Sequence, residues 1–440
     1  MSKLEKYPSY KDSGVEWLGE IPEGWDIVRL GVLGSFTASG IDKYIVKNES
    51  LVKIINFTDI YSRTNLTLDS KIKYMEVTTP ELNRKKHLVK KGDLIFLPSS
   101  ETYEDLGLSA LVNEELKNTS FSYHVIRLEF KKDIAHNFRK YLSNNNSVLN
   151  QFSSYGKGTT RKIIGRNVFK NVRVVVPPKQ EQIKIASFLD EKTEQLDKAI
   201  QQKEQLIKLL KERRQILIND AVTKGLDKTV AMKDSGVEWI GEIPEGWEIV
   251  PGFTVYKENK TKNTGMKDDR ILSLSYGKII VKPKEKLTGL VPESFETYQI
   301  VKPGDIIIRC MDLQNDQTSL RTAISINDGI ITSAYLNLNV INTFNSEYLH
   351  YYLHSLDITK VLYKFGSGLR QNLSYENFKR LSIVQPPKQE QEQIVNYIEK
   401  NNQKIDKAIN LQQQQITKLK EYKTTLIDSV VTGKVRVKDD

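Results

Sequence analysis

Three groupings of side chains in this sequence have the types and spacing for chemistry. Asp93 with Glu115 and Lys117 imitates the acidic-plus-lysine pattern of metal-dependent nucleases. His350 and His354 stand four apart on an expected helix, a spacing used by paired zinc ligands. Trp17, Trp25, Trp239 and Trp247 offer ring faces on which unstacked bases could lie. Each grouping also has a plainer reading. The chain repeats itself, and at the local offset of 212 residues Glu115 and Lys117 are answered by Asn327 and Gly329, so the nuclease pattern fails in the second half. The histidines show no third ligand and no counterpart in the first half, which favours a surface or core pair. The tryptophans are the same in both halves, whereas residues that read a sequence should differ. Packing at the repeat junction accounts for them better than base stacking, with docking of a shared partner as the other choice. No Asn- or Asp-Pro-Pro-aromatic motif of exocyclic-amine methylation occurs, and no Gly-x-x-x-x-Gly-Lys-Ser/Thr phosphate loop. The expectation is a chain without catalysis, metal or cofactor.

What must be positioned is set by a duplication. Lys11 to Val28 returns as Lys233 to Val250 with 16 of 18 residues identical, only Leu18/Ile240 and Asp26/Glu248 differing. Pro177-Pro178-Lys179-Gln180-Glu181-Gln182 returns as Pro386-Pro387-Lys388-Gln389-Glu390-Gln391, and Asp197 to Ile200 as Asp406 to Ile409. The offset is 222 at the first block and 209 at the later two, so the stretch between them has diverged while its flanks have not. A weaker echo inside it, Val89 to Ile95, is answered by Val301 to Ile307. Short β-branched and aromatic runs there (51–57, 93–97, 124–130; 305–308, 335–340) predict strands, with short helices at 135–143 and 346–355. Each Pro-Pro pair stops a strand and opens a long helix, because proline suits a helix start and breaks its interior.

Alternate steps of four and three along those helices pick out Leu189, Thr193, Leu196, Ile200, Lys203, Ile207, Leu210, Arg214, Leu217 and Ala221. The same steps in the second half give Ile398, Asn402, Ile405, Ile409, Gln412, Ile416, Leu419, Lys423, Leu426 and Val430. Seven of ten are apolar in each, with the polar layers in the same three places, which argues for a coiled-coil seam. The other reading is two separate helices, each packed on its own globular part. A tandem repeat that closes on itself with two-fold symmetry requires the pair to be antiparallel, with Lys203 near Gln412, Thr193 facing Lys423 and Arg214 facing Asn402. The seam from Leu189 to Ala221 would run about 48 Å at ~1.5 Å per residue, longer than one turn of B-DNA.

At 440 residues the chain is long enough for several domains with cores of their own. A single cysteine, Cys310, forbids an internal disulfide and fits a reducing compartment. The polar start from Met1 to Ser9 lacks a signal-like apolar region, and no run is long enough to cross a bilayer, so a cytoplasmic protein with no membrane contact is expected. Sixty-six Lys and Arg against 55 Asp and Glu leave a net charge of +11, suited to a polyanion.

A constant Ile-Pro-Glu-Gly-Trp opening (21–25 and 243–247), a variable domain, and a Pro-Pro-Lys-Gln-Glu-Gln entry to a long helix, all twice, resembles the specificity subunit of type I restriction-modification enzymes over nearly the whole chain. The resemblance implies an α+β fold: two mixed α/β target-recognition domains, at 1–176 and 229–385, separated by two long helices, at 177–228 and 386–440, that form an antiparallel coiled coil in a pseudo-two-fold tandem repeat. It implies double-stranded DNA as ligand, each recognition domain reading half of a split site with the coil setting the spacer. It also implies two adenine-N6 methyltransferase subunits as partners and, through them, motor-nuclease restriction subunits. Family recognition domains carry Gly-Asp before an apolar strand and a polar loop. Here Gly92-Asp93 leads to Ser99, Ser100 and Glu101, and Gly304-Asp305 leads to Arg309 and Asp312. Arg suits guanine while Ser and Glu suit other base edges, as expected if the halves read different bases. A second family-like segment, glycine-rich and basic, brings Lys157, Thr159, Arg161 and Lys162 in the first half and Arg370, Gln371 and Asn372 in the second. Small residues there let backbone approach a phosphate while arginine supplies charge, the alternative being a solvated loop. Ser122, Tyr123 and His124, aligned with Thr332, Ser333 and Ala334, stand behind these. Two other functions compete: a coiled-coil scaffold without base reading, and a fused type II-like DNA enzyme whose motifs are degenerate.

Overall fold

A computed structural model describes residues 4–61, 66–283, 285, 293–313, 315–316, 319–341, 344–365 and 372–438. The chain forms two compact units, Met1–Glu204 with Gln413–Asp440, and Gln205–Gln412. Each therefore takes a segment of both long helices, and its two constant blocks meet within it.

The 18-residue opening folds the same way twice. The Asp12 carboxylate accepts the Gly14 amide and the Asp234 carboxylate the Gly236 amide, both at 3.0 Å. Gly14 and Gly236 lie at φ of +66° and +71°, a left-handed turn that a side chain resists. The turn folds Tyr10–Asp12 onto Glu20–Pro22, and Met232–Asp234 onto Glu242–Pro244. Trp25 and Trp247 follow and are buried, the packing role expected of them, whereas Trp17 is 48% exposed and Trp239 part-buried, so packing does not hold for all four. Trp247 also donates its indole N–H to Glu390 at 2.9 Å, inside the second Pro-Pro-Lys-Gln-Glu-Gln block.

The strand after each tryptophan pairs antiparallel with the strand before each Pro-Pro: Asp26–Arg29 with Arg173–Val176, and Glu248–Pro251 with Ser382–Gln385. The glutamine that ends each block explains its recurrence. Gln182 accepts the Ala135 amide and donates to the Pro177 carbonyl, both at 2.8 Å. Gln391 accepts the Asn345 amide and donates to the Pro386 carbonyl, both at 2.9 Å. One buried amide thus satisfies backbone at the helix entry and at the start of a neighbouring segment.

Between the blocks, each unit builds one comparable sheet. In the first the strand order is Gly34–Thr37, Ile126–Phe130, Leu94–Phe96, Ser109–Val112 and Thr67–Leu68, antiparallel except for the last pair. A second sheet there orders Thr119–Phe121, Ser50–Ile55 and Met75–Thr79. In the second unit the order is Tyr256–Glu258, Leu336–Val340, Ile306–Ile308 and Thr322–Ile324. The expected strands are present to within a residue or two. The helix expected over 135–143 is a 3-10 turn at His136–Phe138 continued as Arg139–Ser143, with a further helix at Asn146–Ser154; the second is Ser346–Ile358.

The long helices are Lys179–Lys224 and Lys388–Val431. Every residue picked out by the heptad step is buried or part-buried, while most of the residues between them are exposed. In the first unit Lys423 binds both oxygens of Asp197 at 2.6 and 2.7 Å, and Lys203 donates to Gln415 at 2.6 Å. Partners rise along one helix as they fall along the other, so the pair is antiparallel. Polar layers do meet polar groups: Lys203 donates to Gln415, within a turn of Gln412, Lys423 pairs with Asp197, and in the second unit Arg214 pairs with Asp406. Long basic side chains lean out of the seam towards flanking acceptors, leaving their stems to fill it. Each end of the seam is continuous with a globular core. Ile185, Leu189, Leu426 and Val430 join Trp25 and Phe169, and Ile218, Val222, Ile394 and Ile398 join Trp247 and Tyr348. Full burial of such a side chain contributes about 1.5–3 kcal/mol, which makes these helices part of each unit's core.

Candidate nucleic-acid interface

In the first unit the two predicted segments meet through a two-stranded ladder. Ser99–Ser100 pairs antiparallel with Lys162–Ile163, so residues about sixty apart in sequence share one rim. The glycine-basic segment is a hairpin closed by Lys157 and Ile163, each donating its amide to the other's carbonyl at 3.1 and 2.8 Å. At Gly158, φ is +117° and an added Cβ would stand 2.2 Å from the Arg161 carbonyl oxygen, so the hairpin requires glycine there. Lys162 donates to the Thr159 carbonyl and places its ammonium 5.3 Å from the Tyr103 ring. Arg161 donates to the Ser99 hydroxyl at 3.0 Å and lies 5.3 Å over Phe57. Ser99 and Ser100 are themselves buried, so they carry the rim, and Glu101, Lys157, Thr159 and Arg161 are exposed on it.

This rim borders a hollow of about 310 Å³ whose walls include Lys43, Phe57, Tyr61, Glu101, His124 and Arg161. Phe57 and Tyr61 are stacked at 5.1 Å and 23°. Burial, with Lys43 and Arg161 nearby, holds His124 below its ordinary pKa and therefore neutral at pH 7. Sequence reasoning missed Lys43, Phe57 and Tyr61. The short helix Phe57–Tyr61 carries no periodic signal at five residues.

In the second unit the same two segments converge. Arg309 follows the strand Ile306–Ile308 and forms an ion pair with Asp316 at 3.2 Å. Asp312, at φ of +58°, donates its amide to the Asn372 side-chain oxygen at 3.0 Å, and the Leu373 amide donates to the Cys310 carbonyl at 2.9 Å. Arg370 and Gln371 lie outside the described residues. The loop is held from beneath by Arg321, which is fully buried. Its guanidinium donates to the carbonyls of Arg309 (3.3 Å), Met311 (2.7 Å), Asp312 (3.2 Å) and Asp316, and to the Tyr363 hydroxyl (3.1 Å). Its own amide binds Asp357 at 2.6 Å. In the first unit Leu108 occupies the same position: its carbonyl accepts the Leu97 amide at 2.8 Å, as the Arg321 carbonyl accepts the Arg309 amide at 2.8 Å. A leucine-to-arginine difference at one position beside the sheet therefore goes with two differently shaped loops.

The groupings that imitated catalytic sites have structural partners. Asp93 is buried, accepts the Lys90 amide at 2.9 Å and faces Arg127 at 3.9 Å; burial pushes its carboxyl up to about 6. Asp305 repeats this by accepting the Lys302 amide at 2.9 Å, whereas Glu115 and Lys117 are exposed. His350 and His354 stand 5.9 Å apart on Ser346–Ile358, and the Nδ1 atom of each is enclosed without a hydrogen-bond partner. Among the described residues no three His, Cys, Asp or Glu side chains gather as metal ligands do, and no helix is long and apolar enough to cross a membrane.

Comparison with known proteins shows what this chain is similar to. Residues 22–211 match the model of the type I restriction modification DNA specificity domain. The type I restriction enzyme MjaVIII specificity subunit of Methanocaldococcus jannaschii is 23% identical over 437 residues, spanning 95% of each chain. A putative MjaX specificity subunit from the same organism is 22% identical over 435 residues, spanning 96% of each. Among solved structures, the HsdS subunit from Thermoanaerobacter tengcongensis superposes with a TM-score of 0.51 at 18% identity, covering 94% of this chain and 98% of that one. A chain from work on complex assembly and conformational transition of the type I R-M system superposes with a TM-score of 0.68 at 17% identity, covering 93% and 98%.

Proposed function

We propose that this chain, a type I restriction specificity subunit by its family domain, its full-length relatives and its duplicated fold, reads DNA with two unlike surfaces and performs no chemistry itself. One observation carries the reading: in each unit two segments far apart in sequence, drawn from the stretch that diverges between the halves, meet on one rim, while the constant blocks are packed into the core. Residues 1–176 and 229–385 act as target-recognition domains, each reading half of a split, asymmetric site. The helical stretches 177–228 and 386–440 set the spacer and dock two adenine-N6 methyltransferase subunits, which in turn bind motor-nuclease subunits. Glu101, Arg309 and Asp312 are suited to base edges, and Lys157, Thr159, Arg161 and Lys162 to backbone phosphate. Such a complex works in the cytoplasm, with its DNA. The net charge of +11 supports polyanion binding without specifying sequence.

The test is to co-express the chain with its neighbouring methyltransferase and map the methylated adenines. A bipartite motif with two different halves is expected. A single uninterrupted motif, or methylation without sequence preference, would count against two-headed reading and favour a scaffold; cleavage or methylation by the purified chain alone would favour a fused enzyme.

A further inference from the structure

A protein that reads base edges within a duplex needs side chains that protrude into a groove. The rim of the first unit has instead a hollow, and its walls hold two parallel aromatic rings, a carboxylate, and basic groups at the edge. Tyr61 is 45% exposed although its ring is stacked on Phe57, so a planar ligand can lie against the stack without displacing core. Phe57 is backed by the Arg161 guanidinium and packs against the inner cluster of Ile55, Ile60 and Phe121, which fixes the stack in place. The volume, about 310 Å³, sits at the lower end of small-ligand sites, roughly 300–1,000 Å³. These are the requirements for holding one base out of its helix: a ring to stack on, a polar edge to recognise it, and cations for the backbone that swings with it.

Resting on the DNA-recognition reading above, we propose that the hollow between Tyr61, Glu101 and Arg161 receives a single base extruded from the half-site of the first unit. Among the described residues Glu101 is the only carboxylate on its walls. It accepts hydrogen bonds and cannot donate them, so a base that presents an amino group on its edge is favoured over thymine, whose one N3–H donor is flanked by two carbonyl oxygens. Lys43 and Arg161 receive the flanking phosphates. The hairpin 157–163 holds Arg161 at this edge through its ladder with Ser99–Ser100.

Extrusion and groove reading respond in opposite directions to a missing pairing partner. Removing the base opposite a groove-read position weakens binding, whereas removing the base opposite an extruded one spares the cost of unpairing and tightens it. Once the half-site has been mapped, duplexes with one abasic position at a time on each strand are titrated with the full chain in its purified complex. Binding is expected to tighten about tenfold for an abasic site opposite one position and to weaken opposite the others. Tyr61→Ala should abolish that gain while leaving the other positions unchanged, and Glu101→Gln should relax the preference against thymine at that position alone. Both side chains are exposed, so neither change endangers folding. If no position tightens while sequence-specific binding is intact, the extruded-base assignment is overturned and the DNA-recognition reading stands. A gain that survives Tyr61→Ala places the extruded base elsewhere and overturns the assignment to this hollow. Loss of sequence preference in every duplex removes the recognition reading itself.

Discussion

Arg321 is a buried cation whose guanidinium donates to one loop and to Tyr363, and among the described residues no carboxylate forms an ion pair with it. Arg321→Met would leave several buried carbonyls without donors, a loss of about 3 kcal/mol or more of unfolding free energy. Urea unfolding of the variant should show it, and Arg321→Lys should recover only part, since one ammonium cannot span the fork of a guanidinium. His350 acts through pH. Burial first, then repulsion from His354, pushes it down to about 3, so the folded ring stays neutral where the unfolded one takes a proton near its ordinary value. Its contribution is fully present above about pH 6.5 and is lost as pH falls from there towards 3, at a slope of at most about 1.4 kcal/mol per pH unit. His350→Leu should flatten that part of the stability profile; an unchanged acid limb would show that the ring is protonated in the folded state. The unpartnered Nδ1 means that the substitution breaks no hydrogen bond there.

At the scale of elements, the junction of strand, Pro-Pro and long helix is the most repeated piece of the molecule. Gln182 and Gln391 each tie a helix entry to the start of a helical segment in the same unit through two hydrogen bonds. Gln182→Ala or Gln391→Ala should cost about 2 kcal/mol each, chiefly from the backbone groups left unsatisfied in a buried place. Thermal unfolding should show the two losses to be nearly additive, because the glutamines belong to different units. The motif Pro-Pro-Lys-Gln-Glu-Gln thus has a physical reason for recurring: proline ends the strand, Glu390 meets Trp247, and the last glutamine closes the entry. Sequence periodicity alone located the helices and their seam. The flanking acceptors Asp197, Asp406 and Gln415 were not legible there, because heptad counting ranks positions by polarity and is blind to how far a lysine or arginine can reach.

For the molecule as a whole, phosphate contacts and base contacts can be told apart by salt. Lys157→Ala should weaken binding to all sequences about equally and reduce the slope of log affinity against log salt by about one. Arg309→Ala should instead relax preference at one base position at a cost of about 1–3 kcal/mol. Equal effects of the two variants on every sequence would show that Arg309 too binds backbone. The sequence by itself determined that the chain is a duplication, where the constant blocks lie, that two long helices share a seam, and that Ser99 to Glu101 and Lys157 to Lys162 are candidates for contact. These were legible because they rest on identity between halves, on proline chemistry and on a 3.5-residue period, all of which are local. Only the tertiary structure decided that those two segments share a rim, that Phe57 and Tyr61 wall a hollow beside them, and that Arg321 shapes the second loop. Such facts depend on strand pairing between residues tens of positions apart and on which side chains the sheet buries, and neither leaves a pattern in a single stretch of chain.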